Sequence, residues 1–222
     1  MKLDENQIRQ TLNSYNLTKG VDAMSTNFYL VRHAKKEKGI GDVAISSEGI
    51  VQAQATARHF REMPITKIFS SPLKRAKETA LIIAKESFTT IFENSRLRER
   101  TNWGDIPGQT FEEFVEIWER CTHDRDFSPP AGDSARVAGE RLSSCLIELA
   151  KEHPQDNIII VTHGGLITDF LVNVISEEEL RKRRPNFIIE QSSLIKECSI
   201  TKVNCEDGIF RLDDFGSIVH LV

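Results

Sequence analysis

The chain has 222 residues, 39% hydrophobic and 28% charged, with a formal net charge of -4. That is an ordinary soluble globular composition, long enough for one α/β domain with a sizeable core, and it excludes a disordered chain. No apolar run approaches the ~20 residues needed to span a bilayer, and the acidic balance argues against broad nucleic-acid binding, so neither a membrane nor a nucleic acid is an expected partner.

Residues 1 to about 25 are polar, with Leu3, Ile8 and Leu12 on one helical face, which predicts a peripheral helix or arm ahead of a domain over residues 26–222. Behind Lys2 there is no apolar core, so no secretory signal is expected and the expected location is the cytoplasm. Phe28, Tyr29, Leu30 and Val31 read as a short buried strand that ends abruptly in Arg32, His33 and Ala34. Open α/β sheets place ligands beyond the carboxyl ends of their strands, so this strand presents Arg32 and His33. Glycines and charges over residues 35–42 mark a loop next to that edge. The pair Gly39 and Gly41 is too short for a dinucleotide fingerprint.

Ser46 or Ser47 caps a helix with Ile50, Ala53, Ala57 and Phe60 on one side, stopped by Pro64. Residues 67–70 form a second strand, and Ser71-Pro72 opens a helix with proline in its first turn, Arg75 close behind, and Ala76, Ala80, Ile83 and Ala84 on its apolar face. Residues 89–92 read as a third strand, followed by Glu99 and a glycine-bearing loop with Trp103. Phe111, Phe114 and Trp118 recur at helical spacing and are expected in the core, the alternative being an apolar wall for a substrate's leaving group, to which Trp103 in the loop is as readily assigned. Asp133 or Ser134 caps a long helix through Val137, Leu142, Leu146 and Leu149. Residues 158–161 are the clearest buried strand, ending in His163 and a Gly-Gly helix start.

In residues 177–184, Glu177, Glu178 and Glu179 each precede a base by four positions, which describes an ion-paired solvated helix rather than a basic patch. Residues 193–198 and 209–212 read as two further strands on an antiparallel edge. Cys121, Cys145, Cys198 and Cys205 show no metal-binding spacing and are expected to be reduced. His59, His123, His153 and His220 carry no assigned chemistry. The pocket walls are expected from residues 35–45, 100–130 and 176–192.

Two strands thus end in histidine at one sheet edge. Arginine matches phosphate oxygens with planar paired hydrogen bonds, a neutral imidazole attacks phosphorus, and a carboxylic acid protonates a departing oxygen. Arg32, His33, Arg75, Glu99 and His163 supply those groups. The blocks carrying them, Leu30 to Ala34, Gly41-Asp42 with Ser46 to Gly49, Ser70 to Ala76, Leu97 to Glu99 with Trp103-Gly104, Gly132 to Ser134 with Arg141, and Val161 to Gly165, resemble in order those of the histidine phosphatase superfamily, the group of phosphoglycerate mutases and acid phosphatases.

The resemblance implies a three-layer α/β/α sandwich with a mostly parallel sheet, a small phosphate-ester substrate, and neither metal nor cofactor. It implies His33 as nucleophile, Arg32, Arg75 and His163 as a clamp on the phosphoryl oxygens, and Glu99 as acid and then base. Two departures stand out. Gly39 occupies the place where many members carry an asparagine on phosphate, a contact that is either missing here or replaced by Lys35 or Lys36. The residues after Glu99 also lack the Glu-Arg-His-Tyr-Gly pattern of cofactor-dependent mutases. The expected activity is therefore phosphomonoester hydrolysis through a phosphohistidine, with mutase-type transfer or a weakly active phospho-ligand-binding module as alternatives.

Overall fold

The computed structural model describes residues 25–222, so the arm expected over residues 1 to about 25 lies outside the described residues apart from Ser25. Six strands, β1 (Ser25–Arg32), β2 (Lys67–Ser70), β3 (Ile91–Glu93), β4 (Asn157–Thr162), β5 (Ile200–Glu206) and β6 (Ile209–Ser217), form one sheet in the order β3-β2-β4-β1-β5-β6. The first four are mutually parallel, whereas β5 runs antiparallel to β1 and β6 antiparallel to β5.

Side-chain alternation along the central strands produces two cores. Phe28, Leu30, Ile158 and Ile160 point to one face, where they meet Leu142, Leu146, Leu166 and Phe170 from α4 (Ala135–Glu152) and α5 (Gly164–Val174). Tyr29, Val31, Ile159 and Val161 point to the other, against Ala57, Phe60, Ala76, Ala80 and Ile83 from α1 (Ser47–Phe60) and α2 (Lys74–Ser87). These layers give the expected α/β/α sandwich. A strand buried on both faces has no polar side, which explains the unbroken apolar runs of β1 and β4.

The expected caps form at Ser46, whose side chain accepts from the Gly49 N–H, and at Ser134, which accepts from the Val137 N–H. Helix α3 (Phe111–His123) starts in a capping box between Thr110 and Glu113. The remaining helices are α6 (Glu177–Arg183) and α7 (Phe187–Leu194). On α6 all three expected pairs form, Glu177–Arg181, Glu178–Lys182 and Glu179–Arg183. All four cysteines are free thiols and buried, and no described helix is long and apolar enough to cross a membrane.

Several expectations are corrected. Residues 193 and 194 end a helix instead of starting a strand, and Cys198 has φ +56°, a left-handed conformation that no strand accepts; the strand begins at Ile200, where pairing with Val31 starts. Pro72 precedes the helix rather than sitting in its first turn, since Leu73 is the N-cap. The third strand is displaced to Ile91–Glu93, opposite Ile68 to Ser70. Ile50 and Val137 are exposed, on the outer sides of helices whose inner faces are set by Ala53, Ala57, Leu142 and Leu146.

Candidate active site

The register of β1 against β4 brings the two histidines together. Arg32 lies opposite Thr162, and the His33 N–H donates to the Thr162 carbonyl at 2.8 Å, so His33 and His163 leave the sheet side by side with ring centroids 5.1 Å apart. Strand β2 ends on the same edge. The Ser71 N–H donates to the Val161 carbonyl, and Ser71 Oγ shares a hydrogen bond of 2.8 Å with His163 Nε2. Arg75 follows within the first turn of α2, while α5 starts immediately after His163, so its N-terminus opens at the site.

His33 is 6% exposed, and His33 Nδ1 lies 2.8 Å from the Ala34 carbonyl. A carbonyl only accepts, so this contact places the ring proton on Nδ1 and leaves the lone pair on Nε2. Arg75 Nε donates to that lone pair at 3.1 Å, and Arg75 Nη2 donates to Asn102 Oδ1 at 3.2 Å. Burial first, then the charges of Arg75 and Arg32, hold His33 well below the usual imidazole range. Burial, Arg75 and His33 do the same to His163, whose buried Nδ1 makes no hydrogen bond. Both rings are therefore neutral at neutral pH.

Glu99 enters from the loop after β3. Its Oε1 accepts from the Arg100 N–H at 2.9 Å and its Oε2 from the Gly165 N–H at 3.0 Å, which ties the carboxylate to the start of α5. The loop is braced from behind. Thr162 Oγ1 donates to the Leu97 carbonyl at 2.7 Å, and Arg141 donates to the carbonyls of Arg96 and Arg98 while pairing with Asp133 at 2.9 Å. At Gly132, φ is +95° and a Cβ would sit 2.1 Å from the Arg100 carbonyl oxygen, so the block around Gly132, Asp133 and Arg141 serves to hold the Glu99 loop.

Arg100 is 1% exposed and pairs with fully buried Asp169 on α5 at 3.0 and 3.2 Å. Its guanidinium also stacks 3.8 Å from the Trp118 ring centroid. Burial pushes the Asp169 carboxyl up to about 7 against the pull of Arg100.

These groups open onto a cavity of about 350 Å³. Arg32, His33, Arg75 and Glu99 line it, whereas His163, beside His33, does not. Lys35, Lys36 and Trp103 line it as well, as does Gly39. Burial and then the charge of Arg75 lower Lys36 from its usual range, whereas Lys35 Nζ pairs with Glu48 at 2.5 Å.

Five residues occupy roles other than those favoured from the sequence. Phe111, Phe114 and Trp118, expected in the core, form a cavity wall with Trp103 and Val115; helical periodicity marks an apolar face but not what it faces. Arg32 Nη1 donates to the Ile195 carbonyl at 2.5 Å and Nη2 to Glu197 at 2.6 Å, and Glu197, which no sequence signal marked, lines the cavity. Among the described residues, 176–192 contribute nothing to this cavity, so the third expected wall is absent.

A family model described as Histidine phosphatase superfamily (branch 1) matches residues 28–217. A metal-independent phosphoserine phosphatase of Arabidopsis thaliana is 28% identical, over 90% of this chain and 85% of its own. A probable phosphoglycerate mutase of Escherichia coli is also 28% identical, over 87% of this chain and 94% of its own. Among solved structures, a phosphoserine phosphatase mutant from Entamoeba histolytica in complex with phosphoserine superposes with a TM-score of 0.68 at 23% identity, covering 89% of this chain and all of its own.

Proposed function

The chain belongs to the histidine phosphatase superfamily (branch 1), and from that premise we propose that it hydrolyses phosphomonoesters through a phosphohistidine formed at His33 Nε2. The carrying observation is the hydrogen bond from His33 Nδ1 to the Ala34 carbonyl, which leaves the Nε2 lone pair facing the cavity that Arg75 and Glu99 line. An imidazole kept neutral in the resting state is ready to attack without first losing a proton.

In the first step that lone pair forms the N–P bond as the P–O bond to the leaving group breaks, with Glu99, entering the step as the carboxylic acid, giving its proton to the departing oxygen. Arg75 and Arg32, which line the cavity, balance the charge that spreads over the equatorial oxygens, with the neutral ring of His163 beside His33. Arg75 must release its bond to His33, and Arg32 at least part of its bonding to Glu197, so substrate phosphate replaces contacts that hold both guanidinia in place meanwhile. Water then attacks phosphorus, Glu99 takes its proton, the N–P bond breaks, and phosphate leaves with His33 neutral again.

Hydrolysis is preferred to mutase transfer because Glu99 is followed by Arg100, Thr101 and Asn102 in place of the mutase pattern, and because the Arabidopsis relative is a phosphatase. The test is incubation with a ³²P-labelled aryl phosphate. Wild-type protein should trap acid-labile, base-stable label and release phosphate to water, while His33→Asn should lose both by on the order of 10⁴-fold or more. Undiminished turnover by His33→Asn sinks the proposal. Transfer of label to phosphoglycerate in preference to water would establish the mutase reading instead.

A further inference from the structure

We infer that the leaving group taken by this cavity is an apolar body, an aryl or long-chain alkyl group, and not a short phosphorylated carboxylic acid; this rests on the phosphatase reading above. The wall beyond the phosphate floor is a continuous run of rings. Trp103 and Phe111 lie 5.1 Å apart, Phe111 and Phe114 6.4 Å, and Phe114 and Trp118 6.0 Å. Phe111 is 51% exposed at the cavity although it heads an amphipathic helix, so apolar area stands in water where a ligand would cover it.

The charges point the same way. The cations lining the cavity are Arg32, Lys35, Lys36 and Arg75. Arg32 is held by Glu197, Lys35 by Glu48, and Arg75 by His33 and Asn102. Three of the four cations are therefore already held, and none of the four stands among the rings of the wall. Arg100 lies behind Trp118 and is buried with Asp169, so it does not face the ligand. A substrate carboxylate beside the phosphate would find no second cation on the ring wall, and it would share the cavity with the Glu197 carboxylate. An aryl or alkyl chain instead removes exposed ring surface from water.

The discriminating experiment measures kcat/KM for n-alkyl phosphates from butyl to octyl, 2-naphthyl phosphate, phosphoserine and 3-phosphoglycerate. Each methylene laid on an open wall should gain about twofold, half the logarithmic gain of full burial, so octyl phosphate should exceed butyl by about 16-fold. Naphthyl and octyl phosphates should exceed both carboxylic acids by at least about tenfold. Phe111→Ala should erase most of the octyl advantage through KM while leaving inhibition by inorganic phosphate within about twofold. A flat alkyl series, or a carboxylic acid as the preferred substrate, overturns the inference and leaves the phosphatase reading standing. Absence of phosphate release from every compound overturns both. The wild-type series decides the matter even if the variant folds poorly.

Discussion

Substituting Gly165 by alanine would test the placement of the acid without replacing any reacting group. A Cβ there would lie 2.4 Å from Trp118 Cη2 and 2.8 Å from Glu99 Oε1. Non-bonded carbon atoms rest at about 3.5–4.0 Å, so the ring must retreat by roughly 1 Å and the carboxylate by somewhat less. The ring cannot retreat freely, because Arg100 stacks on it and is itself locked by Asp169 and by Thr122 at 2.6 Å. Glu99 is the easier group to move, at the expense of its bond from the Gly165 N–H.

Displacing a reacting group by about 1 Å costs about 10²-fold. The loss should depend on whether the leaving oxygen needs a proton. In single-turnover measurements of phosphoenzyme formation, Gly165→Ala should slow octyl phosphate by about 10²-fold and 4-nitrophenyl phosphate by less than about threefold, since nitrophenolate departs unprotonated. Overpacking of about 1–3 kcal/mol is offset by about 1 kcal/mol of helix propensity gained over glycine, so the variant should remain folded in urea titration. Equal slowing of both substrates, or slowing of neither, would refute the role given to Glu99 and its placement by Gly165.

The buried pair between Arg100 and Asp169 should show strong coupling. At pH 8, Asp169→Leu should destabilise by about 3–5 kcal/mol in urea unfolding because it strands a buried guanidinium, and adding Arg100→Leu should recover part of that loss; additive single losses would contradict a coupled pair. The neutral histidines imply a pH dependence with a definite sign. Both are depressed in the folded state, so below pH 6.5 the unfolded chain takes up protons that the folded chain does not, and stability falls with pH by about 1.4 kcal/mol per unit for each ring. Asp169, raised to about 7, acts in the opposite sense between its unfolded value and 7, so the informative quantity is a difference. His163→Gln should lose stability between pH 6 and 5 about 1.4 kcal/mol per unit less steeply than wild type, and identical slopes would argue that His163 is protonated in the fold.

Much was legible in the chain because it depends on local pattern. The apolar runs of β1 and β4, the caps at Ser46 and Ser134 and the ion-paired helix of Glu177–Arg183 follow from burial, capping and i,i+4 spacing, which act over a few residues. Arg32, His33, Arg75 and His163 were legible for a related reason. They stand at the ends of strands or the starts of helices, where topology alone brings them to one edge.

What only the tertiary structure decided involves partners far apart in sequence. The sixty-nine positions between Arg100 and Asp169, the ninety-two between Ser71 and His163 and the one hundred and sixty-five between Arg32 and Glu197 leave no periodic trace. The aromatic face of Phe111, Phe114 and Trp118 shows the same limit. Its spacing determined that it is an apolar face, but the packing of α3 beside the start of α5 decided that it walls a cavity rather than filling a core, because periodicity records which side of a helix avoids water and not what lies opposite.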